Sequence, residues 1–418
     1  MVQVLSASSG VISGPLLARA VGPAGRGDIA SAMVYFSILT VVFSLGVPLA
    51  VGHAIGGNRM TAEAALGASL RFCAFLIVPA MVASFLIMRG PLQGLTGSGR
   101  IWSMLLLSCV PLPVLGLAVT YCFLAEGALG PLTLVQTIQP AIVTAAAVIL
   151  FILGTLTVAS YIEVTIAAIA CTAGAAVVLL GKRPRRGSSL GPLLRYGLRG
   201  YAGALASFAA VRADQAVIGP VLGQTQLGLY AVGATIAALP PSLALAVAYR
   251  SFGNVASASD DMKPSIIVAS VRLCILVAAL VAVALAIGSP IVLPVLYGRR
   301  FGASLTPLLL LLPGSIALAI SGVVASALTV TGRLGRSTAA ELTGFGLSVV
   351  ALPVVVPRWG LVGAACLSTT AYTVTMASYI RSLRVRSLAE LLPRRADLAY
   401  VTAVIITPFR RLTGRPGK

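Results

Sequence analysis

Apolar residues along this chain come in runs of about 20, broken by short polar stretches. The runs predict twelve membrane-spanning helices, at about 2–21, 31–55, 64–88, 101–125, 131–153, 156–181, 201–223, 227–250, 266–288, 303–329, 338–357 and 360–380. Each is long enough to cross a hydrocarbon core of roughly 30 Å. A transmembrane β-barrel would show period-two alternation in pieces of about ten residues. Here the runs are continuous and rich in Leu, Ala, Val and Gly, so the fold class is an all-α polytopic membrane protein. The first run is the weakest: it carries Gln3, Ser6, Ser8, Ser9 and Ser13 and has no basic flank. It does not resemble a signal peptide, and it is expected either that the natural start lies upstream of Met1 or that this span is partly exposed to water.

Self-comparison changes the picture from twelve helices to two sets of six. Leu49–Asn58 (LAVGHAIGGN) matches Leu245–Asn254 (LAVAYRSFGN) at five of ten positions, and Asn58 and Asn254 are the only asparagines. Ala68–Cys73 (ASLRFC) matches Ala269–Cys274 (ASVRLC), and Gly127–Gly130 (GALG) matches Gly332–Gly335 (GRLG). The offsets are 196, 201 and 205, in conserved order. Two six-helix bundles are therefore expected. Because six is even, both enter from one side, and a pseudo-two-fold along the membrane normal relates them. The expected units are an N-terminal lobe (1–181), a basic cytoplasmic linker (182–200), a C-terminal lobe (201–381) and a basic cytoplasmic tail (382–418). Such bundles enclose a central cavity, a transporter architecture. Prolines within the spans (Pro48, Pro79, Pro111, Pro113, Pro140, Pro240, Pro241 and Pro313) are expected to kink helices.

Charge fixes the orientation. The chain is 58% hydrophobic and 10% charged, with net charge +20 and mean hydropathy +1.01. With the N-terminus in the cytoplasm, 7 of 30 basic residues fall outside and 22 inside, with Arg212 in the membrane. The excess charge follows topology, and nucleic acid is not an expected partner. The 398–409 segment is too short to span and is expected to lie on the inner leaflet, with its arginines against anionic lipid.

The chemistry that is absent narrows the function. There is no P-loop, no HExxH motif, and a single histidine, His53, expected to be packed rather than to ligate. The six cysteines lie in apolar runs as small buried hydrophobes. No metal or other cofactor is expected. No long outer loop exists for a catalytic centre, so a membrane polymerase or glycosyltransferase is the disfavoured alternative, and the protein is not expected to be an enzyme.

What remains is a set of charges in or near the spans. VRADQAVIG (Val211–Gly219) puts Arg212 and Asp214 in the seventh helix, two residues apart and on different faces. An ionised group at membrane depth costs about 2.5–3.5 kcal/mol on insertion scales, so each needs a partner or a wet cavity. Arg212, with no surface in reach, is placed in the cavity. Arg71 and Arg272 occupy repeat-equivalent positions and either line the cavity or snorkel to the inner surface. Arg19, Arg26 and Asp28 flank the outer end of the first helix, and Arg250 ends the eighth. The candidate substrate-binding set is Arg212, Arg19, Arg26, Arg71, Arg272 and Arg250, since guanidinium groups suit a diphosphate. Asp214 and Glu163 are the candidate ion-coupling acids, for a proton or sodium ion. Glu163 is equally read as a buried, hydrogen-bonded acid.

Three stretches carry a family resemblance. LLARAVGPAGRGD (Leu16–Asp28), RADQAVIG followed by LGLYA (Arg212–Gly219, Leu227–Ala231), and LYGRRF (Leu296–Phe301) with Pro313–Gly314 and Thr331–Arg333 are the motifs. Here the chain resembles the polysaccharide and oligosaccharide-lipid flippase branch of the superfamily that also holds multidrug-and-toxin extruders and lipid II flippases. The resemblance implies two six-helix lobes, alternating access, and a polyprenyl-diphosphate-linked oligosaccharide carried outward. A cation-coupled multidrug extruder is the rival transporter, whose cationic cargo calls for acids. Here acids number only ten.

Overall fold

The structure is a computed structural model that describes residues 2–95, 97–185, 189–246, 263–330, 333–383 and 388–392. The described residues are helical throughout apart from short turns. The helices are α1 (Val2–Ser44), α2 (Val47–Gly56), α3 (Ala62–Arg89), α4 (Gly97–Ser108), α5 (Pro111–Ala125), α6 (Leu129–Ile152) and α7 (Val158–Leu180). They continue as α8 (Gly191–Leu222), α9 (Gln224–Ala237), α10 (Lys263–Tyr297), α11 (Leu305–Val330) and α12 (Leu334–Ser382). Residues 239–246 extend the span begun by α9. Ten helical stretches are long and apolar enough to cross a membrane. Two of them are double: α1 breaks at Gly22 (φ 68°) and α12 at Gly360 (φ 57°). Splitting both recovers the twelve spans.

The breaks follow from residue chemistry. Glycine tolerates the positive φ that ends a helix, and at Gly22 the next limb starts at once with Pro23, which suits a first helical turn. No loop over 22–30 therefore forms: the second span starts directly after Gly22, well before the expected residue 31. It breaks again at Leu45 and Gly46, both at positive φ, and resumes as α2. Pro48 and Pro111 sit in the first turns of α2 and α5, where they start helices, while Pro79, Pro140 and Pro313 lie inside helices.

The duplication is visible in the backbone. Positive-φ glycines recur as Gly22 and Gly223, Gly97 and Gly298, and Gly154 and Gly360, at separations of 201, 201 and 206. Each pair marks the joint after corresponding odd-numbered spans. Asn254, the partner of Asn58, lies outside the described residues, as do Gly332, Arg250 and the 398–409 segment.

Packing divides the helices into two lobes. One core gathers residues between Leu17 and Leu193, around Phe36, Phe72, Leu106, Phe123 and Ile162. The other half packs around Tyr230, Phe301, Leu308 and Val356, and around Val271, Val323 and Tyr379. Ala18 and Ala30 of α1 belong to the second core, so α1 is shared between the lobes. The connecting segment is more ordered than a linker requires: α8 begins at Gly191, and Leu193 is buried in the first core. Large apolar side chains cover the outside, with Phe75, Ile152, Val178, Ile287 and Val350 each more than 70% exposed. A surface of that kind is stable against lipid and would aggregate in water.

Candidate functional site

The two lobes meet around one cavity of about 600 Å³. Its walls come from both halves: Arg26, Met33 and Phe36 of α1, Gln139 of α6, Tyr161 and Thr165 of α7 on one side. Arg212, Asp214 and Gln215 of α8, Thr235 of α9, Ser315 of α11 and Tyr372 of α12 line the other. Two arginines thus line one space, one from each half.

Beside the cavity, α1 and α9 pack backbone against backbone. A methyl group on Gly27 would lie 1.7 Å from the Gln224 carbonyl oxygen, and one on Gly228 would lie 1.9 Å from that of Pro23. Only glycine permits that approach. Around it, Ser31 Oγ donates to Gln224 Oε1 (2.7 Å) and Tyr35 Oη to the Ala216 carbonyl (2.7 Å). A second junction lies at the far end of the same α1 limb. There Gly46 and Gly197 bring their backbones together, and Tyr201 Oη donates to the Val41 and Val42 carbonyls, which the helix break leaves without amide partners.

Arg212 and Asp214 play different parts. Arg212 is half-buried at the cavity wall and forms no hydrogen bond with the described residues. Asp214, only 3% exposed, is turned into its own lobe. Tyr230 Oη (2.5 Å) and Ser368 Oγ (2.9 Å) donate to its Oδ2, and the Gln215 amide to its Oδ1 (2.7 Å). One carboxylate thereby joins α8, α9 and α12. Arg26 also faces the cavity, and its Nε is buried without a hydrogen-bond partner.

The other candidates lie elsewhere. Arg19 is exposed and donates from Nε to the Leu296 carbonyl (2.9 Å) and from its terminal nitrogen to that of Val295, binding α1 to the end of α10. These carbonyls close a helix, where a cation is favoured. Arg71 is exposed and donates to the Gly67 carbonyl of its own helix (3.2 Å). Neither it nor the half-buried Arg272 lines the cavity. Glu163 is exposed on α7, because Tyr161 and Thr165 define the cavity face and a residue midway between them points away. Arg250 lies outside the described residues.

Several polar residues stand apart from the charge-based set. Glu341 on α12 accepts from Tyr379 Oη (2.7 Å), which also pairs with Ser337 Oγ (2.9 Å). A lone acid in the eleventh span was the available signal. Gln139, Tyr161 and Tyr372 are neutral and gave none. A recess of about 900 Å³ lies at one end of the first lobe, walled by Arg59, Glu63, Glu126, Lys182 and Arg185. It is larger than the central cavity but belongs to one lobe. His53 lines it, exposed and stacked on Tyr196 with centroids 4.2 Å apart, rather than packed inside. Cys73, Cys122 and Cys274 are buried as expected, while Cys171 and Cys366 are exposed on the helix surface.

Comparison with known proteins bears on the fold. Residues 123–306 match the family model described as "Polysaccharide biosynthesis protein". No curated protein matches the sequence. Among solved structures, the inward closed form of the lipid II flippase MurJ superposes with a TM-score of 0.74 at 11% identity, covering 100% of this chain and 93% of that one. An inward-facing multidrug resistance MATE family transporter of the MOP superfamily gives 0.70 at 15% identity, covering 93% and 95%. A MOP superfamily transporter from Pyrococcus furiosus, described as having a binding pocket of reversed polarity, gives 0.57 at 14% identity, covering 92% of each. The chain has the two-lobe helical fold shared by the MOP superfamily transporters and the lipid II flippase.

Proposed function

We propose that the protein moves a polyprenyl-diphosphate-linked oligosaccharide from the inner to the outer leaflet of the cell membrane, by alternating access, for surface polysaccharide assembly. The observation that carries this reading is the pair Arg26 and Arg212, facing one interlobe cavity from opposite halves. Guanidinium groups bond phosphate oxygens through a planar fork, and such charge-assisted bonds strengthen away from water. The family match over 123–306 supports a saccharide cargo. In this reading the lobes are 1–181 and 201–381, both termini are cytoplasmic, and the α1–α9 contact closes the outer end. The lobes rock apart there to release the cargo.

Asp214 is the coupling acid in this scheme. Binding of a proton or sodium ion would disturb its bonds to Tyr230 and Ser368 and so loosen α8 from α9 and α12. Glu163, outside the cavity, has no such route. A multidrug extruder for cationic cargo fits less well, because among the described residues Asp214 is the only acid on the cavity wall and its oxygens already accept three bonds.

Arg212→Ala tests the proposal. It should leave folded, inserted protein and cut glycan export by roughly 10- to 100-fold, the worth of one or two charge-assisted bonds. Arg212→Lys should recover part, keeping the charge without the fork. Surface glycan and membrane-inserted protein are measured together. Full export by Arg212→Ala at normal protein level would overturn the reading.

A further inference from the structure

A second cavity, of about 380 Å³, lies within the first lobe between α5, α6 and α7. It meets the central cavity at Gln139, which lines both. Its floor is apolar and buried, at Gly116, Val135 and Ile169. Its polar groups are all neutral: Gln136, Gln139, Thr120 and Thr172. Gln136 and Gln139 stand three apart on one face of α6. Among the described residues neither side-chain amide has a hydrogen-bond partner, although both lie within a membrane span. The threonine hydroxyls donate to their own helices, to the carbonyls of Gly116 (2.8 Å) and Ala168 (2.7 Å), and keep lone pairs free to accept. Pro140, inside α6, has no amide hydrogen to give the Gln136 carbonyl four residues earlier.

An unpaired amide is costly at membrane depth unless water or a ligand satisfies it. Two such amides, with hydroxyls and no charge, offer both donors and acceptors. That suits a sugar ring, whose hydroxyls both give and take hydrogen bonds, and does not suit a phosphate or an acyl chain. We infer that this side cavity is a saccharide subsite: the glycan portion of the cargo leaves the arginine-lined cavity past Gln139 and rests against Gln136, Thr120 and Thr172. The inference rests on the cargo proposed above and adds a division of labour. Arginines from both lobes hold the diphosphate, and the first lobe alone reads the sugar. Its volume lies at the low end of the roughly 300–1,000 Å³ usual for ligand sites, enough for a short saccharide and too little for a long one.

The test is photo-crosslinking in intact cells that make the glycan, using the full chain. p-Benzoylphenylalanine replaces Leu117, on the exposed rim of the side cavity, or Met33, in the central cavity. After irradiation the purified protein is analysed by mass spectrometry for saccharide-bearing adducts. Saccharide adducts are expected at both positions. Adding Gln136→Leu should reduce those at position 117 by roughly tenfold, the loss of a neutral hydrogen bond, and Gln136→Asn should reduce them less. Saccharide at 33 with only phospholipid acyl adducts at 117 would overturn the subsite and leave the cargo standing. No saccharide at 33 would overturn the cargo, and the subsite with it. Unchanged adducts at 117 in the Gln136→Leu protein would remove the amide from the account.

Discussion

Gly228→Ala should force the closed end of the cavity open. The added methyl would lie 1.9 Å from the Pro23 carbonyl oxygen, against 3.4 Å for ordinary contact, a shortfall of about 1.5 Å. The clash is with backbone on α1, so no side-chain rotation relieves it. The Gly27 amide nitrogen, at 2.9 Å, blocks a slide along the helix. Relief requires α1 and α9 to part, which also weakens the Ser31 and Tyr35 bonds beside the crossing. Overpacking of this kind costs about 1–3 kcal/mol, a factor of roughly 5 to 150 in the ratio of closed to open forms. Spin labels at the exposed positions 24 and 226, either side of the crossing, report the change as a distance distribution in lipid nanodiscs. A longer-distance component should grow in Gly228→Ala and be absent from Gly130→Ala, where a methyl meets nothing within 4 Å. Glycan export should fall in step, because a carrier that cannot close cannot complete its cycle. A folded Gly228→Ala protein with the parent's distance distribution would refute the gate.

Two further outcomes are expected. Tyr230→Phe removes one donor from the buried Asp214 carboxylate and should lower thermal stability by about 1.5–3 kcal/mol, with Ser368→Ala smaller and the pair non-additive because both serve one oxygen. A double-mutant cycle that adds without coupling would count against the shared clamp. A cysteine at position 190 should be shielded from impermeant thiol reagents in intact cells and one at 298 labelled, and the reverse pattern would invert the orientation drawn from Lys and Arg.

The helices and their duplication were legible in the sequence, because apolar runs and repeated motifs are local. Arg212 was legible as a cavity residue because a mid-span guanidinium has nowhere else to go. Rotational phase was not legible. Glu163 and Tyr161 share one turn of α7, and only packing against α1 decides that Tyr161 faces inward. Sequence alone puts Arg19 among the candidate cargo cations, but it finds carbonyls nearly three hundred residues away, a pairing that local sequence does not announce. Asp214 looked like an isolated charge, although its partners Tyr230 and Ser368 are ordinary core residues by composition. The side cavity hid for a related reason: glutamine and threonine in a helix carry no charge to draw notice.

The glycine joints have a consequence for what the protein shows to its surroundings. At Gly22, Gly223 and Gly360 a single non-helical residue separates consecutive spans, and all three joints fall on the same face by parity. At these three joints that face presents almost no loop. A secreted protease would find little extended chain to cut there, an antibody little to grip, and a phage little to adsorb to. If it is the outward face, these joints give a partner that recognises loops little to hold, and such a partner would meet the protein from the other side.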